Sequence, residues 1–496
     1  MSNNGKLTQS EPVSAGFHPG VKSFRRKKLS NAIVLFLAFS FILVWDIFAL
    51  SKHAWAEAAQ TFNYQSLSLE DCLALARQYN PALGGATEKI RELTADYRAA
   101  KSQFLPQLSL LSYYERLEPN RLPAGGTTAP PTMDFNKDES FAGITGKQLL
   151  FNGGQTYYGT KAAKIGAEAQ RQGALSTGDE VAFLVTQSFY RLLEAKEDLQ
   201  VAQDALKQRQ EFLNLTGAFF KAGKVTKLDF FRARSLVSDA SQAEIEAENA
   251  LKLAREILAR TIGLSDQTNV DIRGRLPEEF SPAPGVDLLW GQALENNPEI
   301  KQLDLEIKQN ESLVKLAKNG YYPEVSLQGA AGTRHQDTGG TKGEWLAGVF
   351  IEFPFFQGGL TKAQVAAADS RFLQSLDRKR DRLDSLKIDL TTGWQDMENS
   401  RNGVTDTRQT VATNEEAYAS ANALYRNGKA IGLDVLQAEV DLTASRFNLI
   451  RYKAEYEIAR ARIRQIVGAP FSGPQNPSHM DQRENTGQSE NGGQEK

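Results

Sequence analysis

The stretches FFKAGKVTKLDFFRARSLV, residues 219–237, and LYRNGKAIGLDVLQAEVDL, residues 424–442, share one punctuation: an aromatic, two residues, Gly-Lys and then Leu-Asp. The two glycines, Gly223 and Gly428, lie 205 residues apart, and so do the two aspartates, Asp229 and Asp434. A glycine can take the left-handed conformation that ends a helix, and an acid in the first turn favours the start of the next. Each stretch therefore reads as a tight turn between two helices, and the pair reads as a duplication.

The duplication extends outward in both directions. Asn80-Pro81 is answered by Asn297-Pro298, and Phe104-Leu105-Pro106 by Tyr321-Tyr322-Pro323, at a spacing of 217. Phe151-Asn152-Gly153-Gly154 is answered by Phe356-Gln357-Gly358-Gly359, and Ile262-Gly263 by Val467-Gly468, at 205. The 12 residues of difference fall between Pro106 and Phe151, in a Pro/Gly/Thr-rich loop where insertions are tolerated. Residues 57–280 are thus expected to form a first structural repeat and residues 281–470 a second. RLPEEFSPAPG (275–285) is predicted to be a solvated linker between them. Each repeat orders its parts as helix, proline, loop-bearing segment, Gly-Gly, very long helix, tip and returning helix.

In the long helices Val185, Leu192, Leu199, Leu206, Leu213 and Phe220 recur every seven residues. All six counterparts, from Leu390 to Tyr425, are apolar too. A seam held at seven marks helices coiled about one another. Ala240, Ala243, Ala247, Ala250 and Ala254 offer a small-residue stripe along the returning helix, where two backbones can approach closely. No proline interrupts residues 154–219, which would span about 100 Å as one α-helix. Gly159, Gly166, Gly173 and Gly178 would weaken its first half.

Strands are predicted only beside the loops. In EWLAGVFIEFPF (344–355), Trp345, Ala347, Val349, Ile351, Phe353 and Phe355 share one face, while Glu344, Gly348 and Glu352 take the other. VSLQGAAG (325–332), QLSLLSYYE (107–115) and SFAGITGKQLLF (140–151) are weaker versions. Alternation of this kind fits either a soluble flap or a membrane-spanning β-hairpin. Four strands cannot close a barrel, and open edges in lipid leave N–H and C=O groups unpaired at several kcal/mol each. Spanning a membrane therefore requires several copies.

Composition narrows the class. One Cys and four His among 496 residues exclude a cysteine metal cluster or a disulfide framework, and no cofactor is expected. Residues 1–56 read as a signal peptide: basic residues to Lys28, an apolar run from Ile33, then Ala54-Trp55-Ala56. A retained membrane anchor is the alternative. Removing the segment takes away seven bases and two acids, moving the net charge from −2 to −7, and no basic stripe suggests nucleic acid. The polar stretch 471–496 is predicted to be disordered, and the charged run 377–387 to be a solvated helix face.

From about residue 67 to 470 the chain resembles the TolC-like outer-membrane efflux proteins, or outer-membrane factors. The resemblance rests on the duplicated order, on PFFQGG (354–359) at the strand-to-helix junction and on YRNGKAIGLDVL (425–436) at the tip. It implies a mainly α fold with a small β part, in which three copies share a 12-stranded barrel above a tunnel of long helices. It also implies an outer-membrane location with the helices in the periplasm, and docking on a periplasmic adaptor and an inner-membrane transporter. The protein would then be a passive exit duct of a tripartite efflux or type I secretion system.

Carried onto this sequence, the resemblance places the strand–helix junctions at Pro106, Gly153, Gly154, Pro323, Pro354, Gly358 and Gly359. Leu149 stands where the second repeat has Pro354, so that turn is expected to differ. Phe220, Gly223, Lys224, Gly428, Lys429 and Leu433 would form tip turns and adaptor contacts, and Asp434, Tyr425 and Asp229 the periplasmic gate. Three carboxylates about 8 Å apart repel by roughly 0.5 kcal/mol per pair in water and about 2 at an effective dielectric near 20, a cost a cation-selective mouth can bear. The family pattern often adds an acid three residues on, where this chain has Gln437. Either aspartate could instead be only a helix cap, and Thr226 favours that for Asp229. The rival to a duct is a periplasmic coiled-coil scaffold held by an uncleaved N-terminal helix. An enzyme finds no recognisable nucleophile, base and orienter.

Overall fold

The computed structural model describes residues 66–116, 138–264, 270–282, 284–336 and 340–468. The expected signal peptide, most of the inserted loop and the C-terminal tail lie outside these residues. The first repeat contains α1 (Leu69–Tyr79), α2 (Pro81–Ser102), β1 (Gln107–Arg116), β2 (Asp138–Phe151), α3 (Gln155–Lys221) and α4 (Lys227–Ile262). The second contains α5 (Val286–Asn296), α6 (Pro298–Lys318), β3 (Glu324–Gln336), β4 (Gly340–Glu352), α7 (Leu360–Arg426) and α8 (Gly432–Val467). Both long helices have 67 residues and both returning helices 36, so the duplication read from the motifs holds element by element.

Each repeat folds its long helix against its own returning helix, and α3 also packs against α2, α6 and α8. The helices thus form a wall in the order α2 and α4, then α3, then α6 and α8, then α7. Val185, Leu192, Leu258 and Ile262 are buried in one cluster, and Leu390, Met397, Tyr456 and Ile463 in another. Each large aliphatic side chain buried this way contributes about 1.5–3 kcal/mol.

The motif pairs noted separately in the sequence meet in space. The Asn80 amide donates to the carbonyl of Thr261, and its oxygen accepts from Ala82 N–H, each at 2.8 Å. Asn297 does the same with Ile466 and Glu299, again at 2.8 Å. Asn-Pro therefore caps one helix and holds the end of another. Gly263, at φ 92, completes the joint because a Cβ there would lie 2.3 Å from the Tyr79 carbonyl oxygen.

Several expectations need correction. The α3 glycines do not break the helix: Gly166 and Gly173 make room for Gln309 and Gln302 of α6, whose amides would sit 2.7 and 2.8 Å from added Cβ atoms. The seven-residue seam is buried at Val185 and Leu192, but Phe220 at its end is 38% exposed and burial passes to Phe212 and Thr216. Within the chain Ala240 is buried, whereas Ala243 and Ala250 face outward. The linker is exposed over most of its length, as expected, but it is anchored at two points: Leu276 is buried, the Phe280 ring lies 4.8 Å from that of Tyr456, and Tyr456 donates to the carbonyl of Ser281. The charged run 377–387 is mostly exposed, as expected, and pairs along one side only, Lys379 with Asp304 and Arg382 with Glu299 of α6. At the junctions the two Gly-Gly pairs have nearly the same φ, 64° and 90° against 60° and 88°. The Leu149 difference shows in the strand instead: β2 stays paired through a bulge to Phe151, while β4 ends before Pro354, which has no N–H for a ladder.

Asn297→Ala is expected to lower stability by about 2 kcal/mol, since it removes a cap and leaves the Ile466 carbonyl unpaired. Asn297→Asp, which keeps the capping oxygen and loses the donor, should fall between the two. Thermal unfolding of the detergent-solubilised protein measures both.

Candidate functional site

At both tips the long helix ends on the same hydrogen-bond pattern. Lys224 N–H donates to the carbonyl of Phe219 at 2.8 Å and Lys429 N–H to that of Leu424 at 2.9 Å, with Gly223 and Gly428 left-handed at φ 68° and 69°. This is the glycine-ended helix stop that the sequence predicts.

The two aspartates then diverge. Asp229 forms a full capping box: its carboxylate accepts from Thr226 N–H at 3.1 Å and from the hydroxyl at 2.7 Å, while Asp229 N–H donates to Thr226 Oγ1 at 3.2 Å. These bonds hold its carboxyl below the usual carboxylate range. Their contribution is present above pH 3.8, the ordinary value, and is lost as pH falls through the lowered one. Asp434 accepts one backbone bond, from Ile431 N–H at 3.3 Å, and Ile431 has no side-chain oxygen to return it. The Asp434 side chain is exposed and keeps acceptor capacity free to face a cation. The two carboxylates lie on separate tips, and no hydrogen bond connects them.

Tyr425 is placed inside the chain rather than on its surface, at 3% exposure. Its ring lies 5.3 Å from that of Phe212 and 5.5 Å from that of Phe219, and its hydroxyl is 3.2 Å from Thr216 Oγ1. It therefore joins one helical hairpin to the other just above the turns. A second link was not legible in the sequence: Arg209 of α3 pairs with Glu439 of α8 at 3.1 Å, the carboxylate being almost fully buried, and also donates to the carbonyl of Leu236. Around these links the surface is apolar and basic. Phe220 stacks on Phe230, Lys224 and Lys227 lie over the rings of Phe219 and Phe231, and Leu433 and Lys429 are exposed.

At the other end the four strands form one antiparallel sheet in the order β1-β2-β3-β4, with β1 and β4 at open edges. The register puts Leu110, Ile144, Ala331 and Trp345 in one row. Leu110 is 83% exposed, Trp345 80% and Ile351 71%, so the middle of this face is exposed hydrocarbon. The opposite face carries Lys147 paired with Glu324 at 2.9 Å and Arg334 paired with Glu344 at 2.7 Å, alongside Leu346 and Phe350. There the Phe141 ring covers the Gly143–Gly332 pair, whose Cβ atoms would strike the neighbouring strand at 2.6 and 2.5 Å. Arg334 lies over that ring and Tyr113 stacks against it. His335 lies next to the end of β3, with its ring nitrogen 3.0 Å from Thr341 Oγ1.

Among the described residues no helix is long and apolar enough to cross a membrane, and no group of side chains could hold a metal. One half-buried acid stands out midway along α3. Burial, then the charges of Glu194 and Glu197, push the Asp198 carboxyl up to about 7, and its Oδ1 has no partner. A carboxyl raised above its unfolded value of 3.8 contributes most below that pH and destabilises the fold increasingly as pH rises through about 7. Asp198→Asn is therefore expected to raise the melting temperature by a few degrees at pH 8 and to change it little at pH 4. Calorimetry at the two pH values checks this.

Known proteins share these features. A family model described as "Outer membrane efflux protein" matches residues 72–264 and 289–469. The outer membrane efflux protein BepC of Brucella suis biovar 1 (strain 1330) is 23% identical over 413 residues, covering 81% of this chain and 86% of that protein. The cation efflux system protein CusC of Escherichia coli (strain K12) is 24% identical over 433 residues, covering 81% and 88%. Among solved structures, the CmeC outer membrane channel of Campylobacter jejuni superposes with a TM-score of 0.74 at 17% identity, over 84% of this chain and 89% of that one. The outer membrane protein VceC of Vibrio cholerae gives 0.71 at 18%, over 82% and 97%.

Proposed function

The chain belongs to the outer membrane efflux protein family, and we propose that it works within it as the passive exit duct of a tripartite efflux or type I secretion system. It is an outer-membrane channel protein with its helical part in the periplasm, not an enzyme. The observation that carries the finer reading is the two-faced sheet with open edges, continued at Gly153-Gly154 and Gly358-Gly359 into helices of 67 residues. An apolar face suits lipid, a charged face suits a water-filled lumen, and the edges call for further copies. Three copies give twelve strands and six long helices, a closed barrel above a closed tunnel.

In this reading the Leu110–Trp345 face meets outer-membrane lipid and the Lys147–Arg334 face lines the pore. The tips take the far end of the tunnel. Phe220, Gly223, Lys224, Gly428, Lys429 and Leu433 present the surface that a periplasmic adaptor covers, and an inner-membrane transporter supplies the energy. Tyr425 and Thr216 keep the two hairpins of one copy together, so the mouth narrows to the exposed Asp434 of each copy. Asp229, already spent in its capping box, acts chiefly as a structural acid.

In planar lipid bilayers the purified protein is expected to conduct ions and to be blocked by multivalent cations from the tip side. Asp434→Ala should weaken that block at least several-fold, whereas Asp229→Ala should leave it nearly unchanged and destabilise the first tip. Block unaffected by Asp434→Ala would remove the acidic ring from the reading.

A further inference from the structure

Helix α3 starts where the sheet stops, and its first turn is short of acceptors. It begins at Gln155, just after β2 ends at Phe151, and Gly154 at its N-cap has no side chain to offer. Asn152 answers two of the N–H groups: its carbonyl accepts from Gln155 at 3.0 Å and its side-chain oxygen from Thr156 at 3.3 Å. Among the described residues the N–H groups of Gly154 and Tyr157 have no acceptor. No acid stands in the first turn to meet the positive end of this 67-residue helix.

A second donor points at the same place from another element. Asn319 lies in the 3₁₀ turn Asn319–Tyr321 that follows α6; it is 7% exposed, and its Nδ2 has no partner. A Cβ added to Gly154 would lie 3.5 Å from that nitrogen, so the amide faces the helix start across the glycine. A buried amide donor without an acceptor is uncommon in a folded chain. The amides of Asn80 and Asn297, by contrast, both donate to backbone carbonyls. The start of α7 repeats the left-handed glycines, yet nothing in the chain lies within 4 Å of a Cβ added to Gly359. Within the chain, donors converge at α3 and not at α7.

The surroundings are basic. Lys161 and Lys164 of α3 and Lys315 and Lys318 of α6 are exposed, and Glu311 is the only acid in residues 155–164 and 311–319. Glu311 pairs with Lys315 at 2.8 Å, and the charge of Lys315 is felt at Tyr157 and Tyr158. Tyr157, Tyr321 and Tyr322 are exposed nearby, and tyrosine settles at the boundary between lipid and water. Helix start, amide and lysine thus offer donors and positive charge to one anion with several oxygens. At that depth a membrane supplies such an anion in its headgroups.

We propose that the start of α3 is a phosphate site at the periplasmic surface of the outer membrane, filled by the phosphodiester of an inner-leaflet phospholipid. Its two free oxygens share the Asn319 amide, the N–H groups of Gly154 and Tyr157 and the Lys315 ammonium. The acyl chains extend into the membrane beside the sheet. A lipid held this way ties α3 to the end of α6 and fixes the height at which strands give way to helices. The site rests on the placement of the sheet in the membrane with the helices below it, and adds a ligand to that reading.

The test uses the full chain, purified in a nonionic detergent without phosphate. Native mass spectrometry with added dioleoylphosphatidylglycerol is expected to show one lipid retained per chain. Dioleoylglycerol, which has the same acyl chains and no phosphate, should not be retained. Asn319→Asp keeps the size of the side chain and replaces its donors by a carboxylate, and it should reduce retention at least several-fold. Lys315→Gln, at an exposed position, should reduce it by a smaller factor and leave the melting temperature of the lipid-free protein unchanged; it decides alone if Asn319→Asp does not fold. Retention of dioleoylglycerol equal to that of the phospholipid, or full retention in a variant that folds, overturns the phosphate site and leaves the duct to be judged by its conductance. Displacement of the lipid by millimolar inorganic phosphate assigns the site to free phosphate and overturns the lipid. A protein that does not enter lipid bilayers overturns both the site and the duct.

Discussion

A backbone N–H or C=O at the edge of β1 or β4 would have no water to bond in a bilayer, and every other part of this molecule is consistent with answering that demand. The cost of several kcal/mol per unpaired group far exceeds what any single side chain here returns. A four-stranded sheet is therefore an unfinished object, and its apolar face, rich in Leu, Ile, Val and Trp, is unfinished in the same sense. The helix wall below it shares the condition, with α7 at one edge and α2 with α4 at the other.

The internal duplication turns this incompleteness into order. Both repeats carry the same Asn-Pro joint, the same Gly-Gly turn and the same tip, so the two halves can be compared position by position. Differences between the halves then acquire meaning. Thr226 closes a capping box around Asp229, and Ile431 leaves Asp434 with a single backbone bond, so one tip spends its acid on structure and the other leaves most of its acceptor capacity unused. Tyr425 is buried against Phe212 and Thr216, while its image Phe220 remains partly exposed for want of a neighbour.

Much of this was legible in the residues because punctuation is local. Gly223 and Gly428 fix a helix end by backbone conformation alone, and the alternation around Trp345 fixes a strand face. What was misread depended on contacts distant in sequence. The glycines of α3 looked like weak points until the Gln side chains of α6 were seen to need their space. The stretch 275–285 is mostly exposed, as its linker composition suggests, yet composition gave no sign that Phe280 finds Tyr456 across the chain. Arg209 and Glu439 carried no signal at all, since a lone base and a lone acid 230 residues apart resemble any surface charges.

By itself the sequence determined the number of repeats, the order of elements, the position of the tips and junctions and, for strands placed in lipid, the need for more than one copy. Those follow from glycine and proline stereochemistry, from side-chain period and from the bonding demands of a backbone in lipid, all of which act over a few residues or on any sheet. Only the tertiary structure decided which faces of the long helices are filled and which are bare, that Tyr425 turns inward while Asp434 turns out, and that Phe141 and Arg334 sit by the glycine pair on the charged face of the sheet. Those outcomes depend on how volumes and charges from separate repeats meet, a quantity that no local pattern contains.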